Sequence, residues 1–127
     1  MKYQIKPATP RQAPEIARLI MEAMDEDCCR NFAGPHHTLA DFHRMLTRLV
    51  AMDHSQYSYR NTLTAMQGNR IAGIITGYDG KDLRRLRQAF IEAAQTELGR
   101  DFSNMDDETQ EGEYYIDSLA VRTDCRR

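Results

Sequence analysis

Residues 59–78 constrain this chain more than any other stretch. Tyr59 to Met66 alternates apolar and polar side chains and is rich in Thr and Tyr, the pattern of a strand. Gln67-Gly68-Asn69-Arg70 carries a hairpin turn signal. Ile71-Ala72-Gly73-Ile74-Ile75-Thr76-Gly77-Tyr78 follows, nearly continuous in small and apolar residues. Such a run fits a buried central strand rather than a half-exposed one. Asp79-Gly80 ends it. The chain must therefore build a sheet around an antiparallel pair.

The flanking segments read as follows. Tyr3-Gln4-Ile5-Lys6-Pro7 alternates and stops at proline, as a short edge strand does. Ile16, Leu19, Ile20, Ala23 and Met24 recur at helical spacing, with Pro14 in the first turn, where a missing N–H costs least. Asp25 to Pro35 is polar and reads as a loop closed by Gly34-Pro35. Thr38 and Asp41 form a capping box with Asp in place of the usual Glu. Phe42, Met45, Leu46, Leu49 and Val50 give the helix behind it an apolar stripe. A further helix is expected over Lys81 to Leu98, with Gly99 just past its end. Its early arginines, Arg84, Arg85 and Arg87, oppose the helix dipole. They either meet phosphates or a partner, or stay solvated or pair with the acidic loop at Asp106 to Glu108. Tyr114 to Val121 is the last strand.

Composition excludes several classes. The 127 residues suffice for one domain. A net charge of -2 gives no nucleic-acid footprint. No run approaches the roughly 18 apolar residues of a membrane span. The start lacks the apolar core of a signal peptide. Cys28, Cys29 and Cys125 make a poor disulfide framework, so a reducing cytoplasm is the expected setting. Cys28, Cys29, His36 and His37 match no common zinc spacing, and no metal is expected. The hydrophobic share is 41% and mean hydropathy is -0.67, polar for a self-contained α/β domain.

The order and motifs together resemble the GNAT superfamily of N-acetyltransferases. Ile5-Lys6-Pro7-Ala8-Thr9 and Ala13 to Ile20 are similar to its first strand and helix. Thr62 to Ala65 and Ile71 to Ile74 resemble its second and third strands. Tyr115-Ile116-Asp117-Ser118-Leu119-Ala120-Val121-Arg122 resembles its fourth strand, which leads into a loop of pattern Arg/Gln-x-x-Gly-x-Gly/Ala. Arg126 falls at the first position of that loop and Arg127 at the second. The resemblance implies an α/β (α+β) fold: a GNAT-like mixed, mostly antiparallel sheet with flanking helices, in the order β-α-α-β-β-α-β. On this reading residues 1–127 are a single domain, incomplete at the C-terminus, with strands 1 to 4 and an inserted helix at about 81–98. The expectation is a chain truncated before the glycines of its phosphate loop, inactive alone and weak in binding CoA.

The implied reaction moves an acetyl group from acetyl-CoA to an amine. Leu119, Ala120 and Val121 would hold the pantetheine arm through main-chain groups, as another strand would. A backbone N–H in that segment would face the developing oxyanion, worth on the order of 3 kcal/mol. Arg126 and Arg127 would begin the pyrophosphate loop. A carboxylate must take the amine's proton. Asp117 is the first candidate and Glu113 the second. By alternation Asp117 lies on the same side as Tyr115, Leu119 and Val121. Asp117 either serves as that base or holds a neighbouring loop. Asp25, Glu26 and Asp27 either select a cationic substrate or are solvated helix-end charges. Tyr57, Tyr59 and Tyr115 stand near the expected acceptor pocket, and alternating tyrosines equally suit an exposed strand face. The acceptor would be a small-molecule or peptide amine. The alternative is a non-catalytic module that self-associates, as a homodimer, through the unpaired edge of the last strand.

Overall fold

The structure is a computed structural model that describes residues 2–125. Arg126 and Arg127, expected to open the phosphate loop, lie outside the described residues. Four strands and four α-helices are present among them. They are β1 (Gln4–Pro7), α1 (Ala13–Met24), α2 (Glu26–Ala33), α3 (Leu39–Ala51), β2 (Thr62–Gln67), β3 (Arg70–Asp79), α4 (Leu83–Leu98) and β4 (Tyr114–Val121). The strands form one antiparallel sheet in the order β1-β2-β3-β4. This is a GNAT-like mixed α/β architecture, as the resemblance implied.

Local rules explain most of the elements. Thr38 and Asp41 cap α3 reciprocally: the Asp41 N–H donates to Thr38 Oγ1 at 3.1 Å and the Thr38 N–H to Asp41 Oδ2 at 2.9 Å. The backbone N–H bonds from Thr38 pull the Asp41 carboxyl below its usual range. Gly68 turns the β2–β3 hairpin at φ 60°. Gly99 ends α4 at φ 65°, in the left-handed region that glycine enters without penalty.

Three expectations need correction. The segment read as a loop after α1 contains α2. Asp25, held at φ 69° and ψ 165°, breaks the chain between the helices and accepts from the Cys28 N–H at 2.9 Å. Only Cys29 and Ala33 of α2 are buried, with Phe32 packed behind them against Phe42, Phe90 and Phe102. Eight residues with so narrow an apolar face read as polar. Second, β2 starts at Thr62 and not at Tyr59, because Tyr59–Asn61 make one 3-10 turn capped by the Ser58 hydroxyl. Third, β4 does not alternate regularly. Thr76 pairs with Ser118 and Gly77 with Ile116, so Asp117 is the extra residue of a β-bulge.

That bulge reverses the faces. Ser118 and Ala120 turn inward and are buried, whereas Leu119 and Val121 turn outward and are exposed. Asp117 therefore does not share a side with Leu119 and Val121. A Cβ at Gly77, opposite the bulge, would meet the Tyr115 carbonyl oxygen at 2.9 Å. Glycine there lets the two strands approach.

The core lies between the inner sheet face and α1, α3 and α4. Ile16, Leu19 and Ile20 of α1 and Phe42, Met45, Leu46, Leu49 and Val50 of α3 pack with Ile71, Ile74 and Ala120. Each such side chain contributes about 1.5–3 kcal/mol by leaving water. The outer face carries exposed Ile5, Leu63, Ile116, Leu119 and Val121. The long segment 99–113 is pinned to α4. Arg84 and Arg87 both bind the Asp107 carboxylate, and buried Arg87 also donates to the Asp106 carbonyl at 2.9 Å. The early arginines of α4 thus pair with the acidic loop.

Candidate active site

Asp117 is positioned by the bulge, which aims its side chain inward between β3 and the segment after α3. Tyr78, on β3, donates its hydroxyl to Asp117 Oδ2 at 2.9 Å. Gln56 Nε2 donates to the same oxygen at 3.3 Å and to the Tyr78 hydroxyl oxygen at 3.3 Å. Burial pushes the Asp117 carboxyl up to about 6. The Tyr78 bond opposes that rise, the negative charge of Glu108 adds to it, and the Gln56 bond opposes it. The outcome is a carboxylate poised near neutrality, in the range where a general base works best.

Two loops build the walls. Ser55-Gln56-Tyr57-Ser58 is buried throughout, although it reads as polar. It is held there because the Ser55 hydroxyl donates to the Leu49 carbonyl and the Ser58 hydroxyl to the Met52 carbonyl, each at 2.6 Å. These bonds close the end of α3 and leave Gln56 and Tyr57 facing inward. From the other side, segment 99–113 brings Glu108 to Tyr115, whose hydroxyl donates to Glu108 Oε2 at 2.5 Å. The Tyr115 ring meets the Tyr78 ring edge to face, with centroids 5.8 Å apart. Tyr115 and Asp117 share the inner side, as alternation before the bulge requires.

The remaining candidates sit elsewhere. The Glu113 carboxylate accepts from the Thr109 hydroxyl at 2.8 Å and the Gln110 N–H at 3.1 Å, closing the turn before β4. The Tyr59 hydroxyl donates to Asp53 at 2.8 Å, on the exposed side. Asp27 is exposed in the first turn of α2. A groove of about 660 Å³ opens beside α2, among Met21, Asp25, Glu26, Cys29, Leu39 and Thr123. Thr123 is six residues beyond Asp117, roughly 20 Å along an extended chain. The groove and Asp117 are thus at opposite ends of β4. The Cys29 thiol in that groove donates to the Met21 carbonyl, and burial raises it to about 11, which keeps it protonated.

Gln56, Tyr78 and Glu108 went unseen from sequence as site residues. Gln56 and Glu108 had no local signal, while Tyr78 was visible only as the end of an apolar strand.

No strand lies beyond β4 among the described residues, so β4 is an edge strand of the sheet. No group of three or more His, Cys, Asp or Glu side chains that could hold a metal ion is found among the described residues. No helix among them is long and apolar enough to cross a membrane.

No family model matches the sequence, and no curated protein matches it. Two solved structures are similar in fold. One is an N-acetyltransferase from Staphylococcus aureus Mu50, with a TM-score of 0.74 and 21% identity over 97% of this chain and 67% of that one. The other is described as an acetyltransferase, with a TM-score of 0.73 and 21% identity over 95% of this chain and 64% of that one. This chain thus spans about two thirds of the length of either. The likeness in sheet, helices and order shows that the chain has the GNAT-like fold of the N-acetyltransferases.

Proposed function

We propose, in place of the inactive chain expected from sequence, that this protein transfers an acyl group, acetyl in the first instance, from a CoA thioester to an amine, with Asp117 as general base. The observation that carries this reading is the bulge itself. It sets one half-buried carboxylate, raised to about 6 and fixed through one oxygen by Tyr78 and Gln56, beside the open edge of β4. The fold likeness to two acetyltransferases supports it. The thioester supplies an activated acyl carbon. Leu119, Ala120 and Val121 would bind its pantetheine arm by main-chain hydrogen bonds. Their outward side chains, Leu119 and Val121, leave the inner face to the acceptor.

The proton path uses this chain's own groups. The acceptor enters on the inner side, where Tyr78 holds Asp117 and the Tyr115 ring lies edge to face on Tyr78. Both protein hydrogen bonds to Asp117 fall on Oδ2, so Oδ1 is the oxygen that takes the ammonium proton. The freed nitrogen lone pair forms the C–N bond, the C–S bond breaks, and the second nitrogen proton passes through water to the leaving thiolate. A β4 backbone N–H would meet the oxyanion. The test is thiol release from acetyl-CoA over a panel of amines, for wild type and Asp117→Asn. Amine-dependent release that falls about 100-fold or more in the variant supports the reading. Equal release from both sinks it.

A second property is favoured by the apolar outer face: self-association. Ile5, Leu63, Ile116, Leu119 and Val121 are exposed together on neighbouring strands, beside the open β4 edge. Sedimentation velocity over a range of concentrations tests this, and a monomer at every concentration removes it.

A further inference from the structure

The bulge gives the β4 edge a twofold pattern. The Arg122 N–H donates to the Ala72 carbonyl and the Gly80 N–H to the Glu113 carbonyl, each at 2.7 Å. The main chain at both ends of β4 therefore points to β3. Along an antiparallel strand, successive residues point these groups alternately to one side and the other. Inward from one end, Tyr114 and Ile116 thus point theirs away from β3. Inward from the other end, Val121 and Leu119 do the same. No strand lies on that side among the described residues. Asp117 and Ser118 stand between the two pairs, at the bulge, and absorb the change of phase. Tyr114, Ile116, Leu119 and Val121 are also the residues of β4 with exposed side chains on the outer face. Tyr115, Asp117, Ser118 and Ala120 turn inward.

We infer that a second copy of the chain pairs with this edge, antiparallel about the bulge, and that the dimer and the acyl-donor complex exclude each other. Read from its two ends, β4 complements itself. Ile116 meets Leu119 of the partner subunit and Tyr114 meets Val121 of the partner subunit on the outer face. Tyr115 meets Ala120 of the partner subunit and Asp117 meets Ser118 of the partner subunit on the inner face. Each pair joins residues of one face, as antiparallel pairing requires. A slip of one residue sets Asp117 against Leu119 of the partner subunit, inner against outer. A slip of two sets Ile116 against Asp117 of the partner subunit, with the same fault. Beyond the ladder, Glu113 stands opposite Arg122 of the partner subunit, so the end charges are opposite in sign. Ile116 and Leu119 carry the main-chain bonds nearest the axis. Leu119 also belongs to the stretch whose main chain would hold the pantetheine arm, so one edge cannot serve both. The exclusion rests on the acyl-transfer reading, and the pairing does not.

The test of the pairing mixes two single variants, Ile116→Cys and Leu119→Cys, under mild oxidation. These side chains meet only across the joint, so the mixture should give about fivefold or more covalent dimer over either variant alone. Wild type, with its own Cys28, Cys29 and Cys125 thiols, sets the background. Sedimentation velocity of wild type with and without acetyl-CoA, which has no free thiol, reads the exclusion and needs no variant. Both protomers must shed donor before they pair. Acetyl-CoA at about ten times its Kd should therefore raise the dimer dissociation constant about 100-fold. Equal cross-linking in the mixture and the single variants, or a wild type that stays monomeric at every concentration, would overturn the pairing. A dimer constant that bound acetyl-CoA leaves unchanged would overturn the exclusion. Calorimetry on dilute protein separates the two readings. Cross-linking without acetyl-CoA binding removes acyl transfer and keeps the pairing, whereas binding without cross-linking removes the pairing and keeps acyl transfer.

Discussion

Asp117→Asn should stabilise this protein at neutral pH and have no such effect in acid. The wild-type carboxyl moves from 3.8 to about 6 on folding. A raised folded pKa means the native state holds the proton more tightly than the unfolded chain. Between those two values the native state binds more protons, so stability falls as pH rises. The loss is complete above about pH 6 and is worth about 3 kcal/mol, at about 1.4 kcal/mol per pH unit. Asparagine matches the shape of the carboxylate and keeps an oxygen to accept from Tyr78 and Gln56, but carries no charge. Because the site is partly open, water offsets part of that figure, and a gain of about 1–3 kcal/mol at pH 8 is expected. Below about pH 4 both proteins are neutral at this position and the difference should vanish. Urea unfolding of both proteins at pH 4, 6 and 8 measures it. A stability difference independent of pH, or a loss at pH 8, would refute the reasoning. The gain would come with loss of the proposed base, the trade expected of a functional site.

Other perturbations probe the surroundings. Tyr78→Phe removes an O–H that favours the ionised form of Asp117, so carbon-13 NMR titration of that carboxyl should move upward by about one pH unit. Gly80→Ala should cost about 3 kcal/mol or more in thermal unfolding, since an added Cβ would stand 2.1 Å from the Gln110 carbonyl oxygen. Phe42→Ala should cost about 3–5 kcal/mol, because Phe42 of α3 is fully buried and stacks on Phe32 of α2.

The sequence was legible where local rules decide the structure. The β2–β3 hairpin, the Thr38 cap, the α3 stripe and the end of α4 at Gly99 depend on residues a few positions apart. The pairing of Arg84 and Arg87 with the acidic segment was one of two open readings, resolved only by where Asp107 lands. Distant pairings were hidden. The bulge at Asp117 is a one-residue offset between strands some forty positions apart, and simple alternation assigns Leu119 and Val121 to the wrong face. Ser55 to Ser58 hide a buried wall, because their hydroxyls are satisfied by carbonyls at the end of α3. Helix α2 was missed because its apolar side is only Cys29, Phe32 and Ala33. Asp117 was found from sequence, but the partners that tune it come from three separate segments.

The central claim is that Asp117 takes the acceptor's proton, and the pH dependence of kcat/KM for amine-dependent thiol release tests it most directly. The account predicts a rising limb with an apparent pKa near 6 in the wild type, matching the raised carboxyl. That limb should disappear in Asp117→Asn, along with about 100-fold or more of the rate. A limb that survives unchanged in Asp117→Asn, or a wild-type rate that ignores pH between 5 and 8, would contradict it.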